Sequence, residues 1–327
     1  MLDMNNSEAT KAAPEVDIPG VNINESDDLH EQDSNEQTDA AQADASADAA
    51  QGNNSIHGLT GEEITDPNKI AVTIADTETP IVVLYGPPSC GKTMTLVRLS
   101  RYLRSKGYSV EPVRSFRPKK DLNFQRMCDG FDEMLNSSQA AKSTQYMSFM
   151  LVKVLDRQAR PVCQILEAPG ELYFNGDPKK PYPAYVHKIF SCSNRKVWAV
   201  MVEPDWDDTD KRANYVTRVA NLKPNCTARD KFLFVLNKID LTPYVRSAGN
   251  VNESEAIRYV QQLYPNIFVP YENQNPVTRL WRTYNCDFVP FMTGSYSATD
   301  DGDYAYTEGH ERYAEHLWNA IMKYVKG

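Results

Sequence analysis

Residues Gly86 to Thr93 read GPPSCGKT, a glycine-bounded loop closed by a lysine and a hydroxyl side chain. The spacing is G-x-x-x-x-G-K-[ST]. The β-branched run IVVLYG precedes it, and MTLVRLSRYLRSKG follows with apolar residues at helical spacing as far as Gly107. Strand, loop and helix in that order bring the backbone N–H groups of Ser89, Cys90, Gly91, Lys92 and Thr93 together at the positive end of a helix, a nest for phosphate oxygens. Gly86 opens the loop and Met94 follows it in the same contact set. Lys92 reaches towards β- and γ-phosphates, and the Thr93 hydroxyl is placed to ligate Mg²⁺. The context disfavours a glycine turn that merely happens to precede Lys-Thr. The motif specifies a nucleoside triphosphate but no base.

A second stretch, FLFVLNKIDL (Phe232 to Leu241), is an apolar run that stops on Asn237, Lys238 and Asp240. Every strand must surface somewhere, and these are ordinary surface residues, so the stretch means little without a partner. In a parallel sheet, ligands sit outside the carboxyl ends of the strands, which would bring these side chains beside the phosphate loop. An Asp carboxylate can accept two hydrogen bonds from guanine, at N1–H and the exocyclic amine, whereas adenine offers no such donor pair. The stem of Lys238 can lie along the base, and Asn237 can both contact the base and tie the loop to its neighbours.

Asn-Lys-x-Asp at the tip of a strand, downstream of that loop, resembles the guanine signature of the Ras-like P-loop GTPases. The resemblance is to the bacterial-type members and covers about residues 70 to 327. It implies a Mg²⁺-dependent GTP- and GDP-binding protein, with GTPase activity giving GDP and phosphate, that acts as a switch on an unidentified effector or regulatory protein. The family's Asp-x-x-Gly is replaced here by Glu167-Ala168-Pro169-Gly170. By the resemblance Glu167 holds Mg²⁺ through water and Gly170 offers an N–H to the γ-phosphate. Glu171 stands where the family often has a Gln that orients the attacking water. Lys92, Gly170 and Glu171 are thus the candidate catalytic groups. Thr144, with Ser143 as second choice, would cover the metal together with Thr93 and Glu167. Ser295 and Tyr296 would supply backbone contacts behind the base. Two alternatives stay open: a GTP or GDP sensor or scaffold with little hydrolysis, which the two Glu substitutions favour, and a P-loop kinase or ATPase of another class.

The elements that must position these residues alternate along the chain. IAVTIAD and YSVEPV read as strands, and YMSFMLVKVLD and PVCQILEAPGE as an antiparallel hairpin turned at RQARP. KVWAVMVEP, the Asn237 strand and DFVPFMTGS are further strands, with helices through DKRANYVTRVANL, ESEAIRYVQQLY and the segment from about Glu308 to Lys326. In that last helix Tyr313, Leu317, Ile321 and Tyr324 form the inward stripe. This pattern predicts a three-layer α/β fold of the P-loop NTPase type: a mostly parallel sheet with one antiparallel edge strand, covered on both faces. Between the loop and the hairpin, FQRMCDGFDEML puts Phe124, Met127, Cys128, Phe131, Met134 and Leu135 on one face of a helix. That helix is read as a packed cover within an insertion over residues 115–143.

Charge divides the chain. Residues 1–67 hold sixteen Asp and Glu against one Lys, a balance of −15. The whole chain carries −9, which leaves +6 for residues 68–327. The acidic segment has almost no aromatics and no periodicity, the composition of a disordered tail ahead of one domain over 68–327. A balance of +6 is too small and dispersed to indicate a nucleic-acid partner. No apolar run of 18 residues predicts membrane insertion, no signal peptide is visible, and six scattered cysteines fit a reducing cytoplasmic setting. Acids in DWDDTD (Asp205 to Asp210) suit a helix N-terminus better than a calcium loop. Arg114 and Arg117 in RSFRPKK either face water or supply a cationic group to the site.

Overall fold

A computed structural model describes residues 59–136, 149–168, 170, 177, 179–298 and 304–326. A helix stands ahead of the boundary expected at residue 67. Helix α1 (Gly61–Thr65) is opened by a capping box in which Thr60 accepts from the Glu63 amide and Glu63 accepts from that of Thr60. Glu63 is an acid that charge counting assigns to the tail. It is instead buried and takes both its oxygens to Arg117 Nη2, at 2.7 Å each. Arg117 also bonds Asp121 and the Ala71 carbonyl, so it is a structural residue and neither faces water nor serves a site.

Seven strands form the central sheet: β1 (Ile81–Tyr85), β2 (Ser109–Pro112), β3 (Met150–Leu155), β4 (Pro161–Glu167), β5 (Lys196–Val202), β6 (Lys231–Leu236) and one more after two small ladder strands, β7 (Val245–Ser247) and β8 (Asn250–Val251). That last is β9 (Asp287–Pro290). The spatial order is β2-β3-β4-β1-β5-β6-β9. β1 pairs in parallel with β4 and β5, and β5–β6 and β6–β9 are parallel too. Every residue of β1 and β5 is buried, which a strand achieves only when helices cover both faces. The fold is the three-layer α/β arrangement that alternating elements require.

Three expectations are corrected. The single antiparallel strand, β3, is not at the edge: it lies between β4 and β2, and both pairings are antiparallel. β2 takes the edge, ending on Pro112, which has no N–H to offer a further strand. IAVTIAD is not a strand. Ile70 and Val72 are buried, but the backbone groups go to Phe116 O (from Thr73 N), Arg117 and Lys188, so no ladder forms. The insertion carries two helices rather than one, α2 (Lys92–Ser105) being followed by α3 (Leu122–Asp129) and α4 (Phe131–Asn136), split at Gly130. Phe124, Cys128, Phe131 and Leu135 are nonetheless all buried, as a cover requires.

The remaining helices are α5 (Ala184–Ser191), α6 (Thr209–Leu222), α7 (Glu253–Leu263), α8 (Pro276–Arg279) and α9 (Glu311–Val325), and a hairpin of β10 (Gly294–Ala298) and β11 (Tyr304–Glu308) intervenes before the last. The stripe of α9 is as expected, with Tyr313, Leu317, Ile321 and Tyr324 all buried. Arg98 of α2 anchors the hairpin by bonding Glu308 at 2.7 Å and the Gly309 carbonyl at 2.9 Å. Among the described residues no helix is long and apolar enough to cross a membrane.

The Glu63–Arg117 pair is buried on both sides, so truncating one partner strands the other charge. Arg117→Ala should lower unfolding stability by about 3 kcal/mol, read by urea denaturation. A loss below about 1 kcal/mol would mean that the pair contributes no more than a surface one.

Candidate functional site: a phosphate loop joined to a strand tip

Parallel register sets the site. Leu84 of β1 lies opposite Glu167 of β4, Tyr85 opposite Val200 of β5, and Val202 opposite Leu236 of β6. β5 and β6 thus run past the last paired residues of β1 and β4, and the residues at or just past the carboxyl ends of the four strands are Gly86, Glu167, Glu203 and Asn237. Open α/β sheets bind ligands at this rim.

The loop from Gly86 turns through left-handed backbone at Ser89 (φ 61°) and Gly91 (φ 87°), then enters α2 at Lys92. Gly91 has no substitute, because a Cβ there would lie 2.3 Å from Asn237 Nδ2. Lys92 is buried, and its Nζ donates to the carbonyls of Pro87 (2.7 Å) and Gly86 (3.1 Å), so its charge sits inside the loop's own curve. Gly170 approaches the same place: a Cβ on it would meet Pro88 N at 2.4 Å and Lys92 Nζ at 2.8 Å. Cys90 lines the loop as a buried thiol, pushed up to about 11 by burial.

Thr93 Oγ1 donates to Glu167 Oε1 at 3.0 Å, so the two metal-ligating candidates from helix and strand meet at the foot of the loop. A hydroxyl and a buried carboxylate side by side fit Mg²⁺, which takes oxygen ligands and relies on phosphates and water for the rest. Among the described residues no group of three or more His, Cys, Asp or Glu could hold a metal alone. The longer Glu in place of Asp thus still reaches Thr93.

Asn237 is buried and its Nδ2 donates to Cys90 O at 2.9 Å across 147 residues, so the two sequence motifs are in direct contact. Lys238 has left-handed backbone (φ 54°), and its Nζ lies 2.6 Å from Glu203 Oε2 and 3.0 Å from Asp205 Oδ2. Burial works against the Lys238 charge, but these two acids raise its pKa above the ordinary value. Burial raises the Glu203 carboxyl as well. Asp240 is exposed at the rim, and partial desolvation, with the Asp205 charge adding to it, raises its pKa.

Ser295 and Tyr296 lie on β10, both exposed and paired opposite Thr307 and Tyr306 of β11. The loop before them is the part joined to the Asn237 strand tip: Ile239 N donates to Phe291 O, and Phe291 N to Leu236 O. Met94 packs with Tyr306 of the same hairpin. Thr144, Ser143 and Glu171 lie outside the described residues. Sequence reading missed Glu203 and treated Asp205 only as a helix-end acid. The same cue that marks Asn237, a polar residue at the tip of an apolar strand, also marks Glu203. Asp208 does cap α6.

This geometry defines the class: a P-loop α/β fold, with the loop between β1 and α2 and an acidic residue on the neighbouring strand. No family model matches the chain, and no curated protein matches it in sequence. Among solved structures it is similar in fold to the S. cerevisiae Ski7 GTPase-like domain bound to GTP, at 15% identity and TM-score 0.39, covering 75% of this chain and 50% of that one. It is also similar to nucleolar GTP-binding protein 1 of Plasmodium falciparum, at 11% identity and TM-score 0.38 over 78% and 90%. A third is Methanosarcina barkeri Roco2 bound to GDP, at 14% identity and TM-score 0.30 over 78% and 52%. The chain thus spans about half the length of the first and third of these.

Asn237→Ala should leave the buried Cys90 carbonyl unsatisfied and cost about 1–3 kcal/mol, measured by thermal or urea unfolding. A Cys90 thiol near 11 is protonated at pH 8. Iodoacetamide should therefore alkylate Cys90 far more slowly than a free cysteine, as peptide mass mapping would show, and rapid labelling would contradict its burial.

Proposed function

We propose that this chain is a guanine-nucleotide-binding protein that binds GTP and GDP with Mg²⁺ and hydrolyses GTP slowly, signalling nucleotide state to an effector or regulatory protein. The observation that carries this reading is the 2.9 Å hydrogen bond from Asn237 to the Cys90 carbonyl. It joins the Asn-Lys-x-Asp strand tip to a phosphate loop, so base and phosphates can be held by one bound molecule. Asp240, exposed at the rim, is free to accept from the N1–H and amine of guanine.

In this reading phosphate oxygens enter the nest of loop amides, and Lys92 exchanges the carbonyls of Gly86 and Pro87 for phosphate. Thr93 and Glu167 would hold Mg²⁺, which neutralises β- and γ-phosphate charge when bound. Lys92 and the loop amides then stabilise charge as water attacks the γ-phosphate in line, and Gly170, packed against the loop, reports whether that phosphate is present. A sensor with little hydrolysis is the second reading, and specific contacts favour it. Arg117 is committed to Glu63 and Asp121 in a buried cluster and is not available to the transition state, and Glu171 stands in place of a water-orienting Gln.

Titration with fluorescent GDP and GTP in Mg²⁺ should give tight binding that excess ATP does not displace. Asp240→Asn should move preference from guanine to xanthine. Equal competition by ATP would return Asn237 to Asp240 to the status of an ordinary strand end, and a single-turnover assay separates slow hydrolysis from none.

A further inference from the structure

Lys238 is restrained more tightly than a lysine at a strand tip needs to be. Its backbone is left-handed, and its ammonium lies between Glu203 (2.6 Å) and Asp205, to whose two oxygens it donates at 3.0 and 3.1 Å. Glu203 is the first residue past β5 and is only 6% exposed. Its backbone is held in place: the Tyr264 hydroxyl donates to its carbonyl at 2.8 Å and accepts from its amide at 3.3 Å. Tyr264 is itself buried against Tyr215 and Trp206. A buried acid on a held backbone therefore meets the far end of the Lys238 side chain.

Burying an ion pair is a poor way to gain stability, since desolvation offsets the attraction. Its place one residue beyond β5, beside the tip of β6, suggests positioning instead. We propose that Glu203, assisted by Asp205, is a positioning residue for Lys238. It draws the ammonium to one side, so that the methylene stem lies extended along the face of a bound base, and it neutralises the ammonium there. Lys238 then acts on the nucleotide through its stem. The proposal rests on the guanine-nucleotide reading above, and it assigns Glu203 and Asp205 a share in base affinity although neither belongs to the Asn-Lys-x-Asp motif.

The test is a double-mutant cycle on the full chain, with fluorescent GDP affinity and the thermal midpoint both measured for wild type, Glu203→Gln, Lys238→Met and the double variant. Glu203→Gln should weaken GDP by about tenfold, the effect of one misplaced charge-assisted contact. In the Lys238→Met background the same change should weaken GDP no further. It should raise the midpoint of that variant, since the buried acid stranded without a cation is removed. Asp205→Asn, at a half-exposed position that folding tolerates, should give a smaller loss of about threefold, also absent in the Lys238→Met background. Equal loss of affinity in both backgrounds would overturn the proposal. So would a lowered midpoint with GDP affinity unchanged, which would make the pair a brace between β5 and β6. Failure of the wild-type chain to bind GDP would overturn the preceding reading first, and is seen before any variant is compared.

Discussion

The phosphate loop is a backbone structure with two left-handed residues and no regular hydrogen-bond ladder, so something outside it must hold its shape. Here that support comes from the carboxamide of Asn237, which reaches the Cys90 carbonyl from the next strand but one. The dependence runs both ways. Asn237 fits only because Gly91 has no side chain, and Gly91 can take its left-handed conformation only because it is glycine. The register of β1, β5 and β6 makes this contact possible: a shift of one residue would turn Asn237 to the other face of the sheet and carry it away from the loop.

Around this contact, charge is confined rather than spread. Lys92 donates to loop carbonyls, Thr93 donates to Glu167, and Lys238 is drawn to Glu203 and Asp205. The partners of Lys92 and Thr93 are ones that a phosphate or a metal can replace at modest cost, because one charge-assisted bond is exchanged for another, whereas the acids around Lys238 hold its ammonium and leave its stem exposed. Elsewhere buried charges are committed permanently. Lys196, fully buried at the start of β5, gives its ammonium to the carbonyls of Cys192 and Asn194. Arg117 gives its guanidinium to Glu63 and Asp121. The difference lies in position: the permanent pairs brace the domain, and the exchangeable ones stand at the carboxyl ends of strands.

Local patterns read along the chain captured the fold class, the loop, the hairpin of β3 and β4 and the inward stripe of α9, because each is encoded by neighbours within a strand or a turn of helix. The turn between strand and helix at Gly86 to Thr93 and the strand end at Asn237 were legible for the same reason. Readings that depended on remote partners did worse. Glu63 looked like tail because its cation lies 54 residues away. Ile70 to Asp76 looked like a strand because β-branched residues fit one, yet Phe116, Arg117 and Lys188 took its hydrogen bonds. β3 was placed at the edge because nothing in YSVEPV tells which strand it will join.

What the sequence alone determined, then, is the set of chemical parts: a glycine-bounded turn into a helix, a hydroxyl at the start of that helix, a carboxylate at the end of a strand, and a strand running into Asn, Lys and Asp. Spacing within each motif fixes these, since loop and strand geometry act over a few residues. Only the tertiary structure decided that Asn237 touches Cys90, that Arg117 is structural, and that Glu203 lies against the Lys238 ammonium. Those outcomes depend on which strands become neighbours and in what register, and both are set by how the whole sheet and its helices pack.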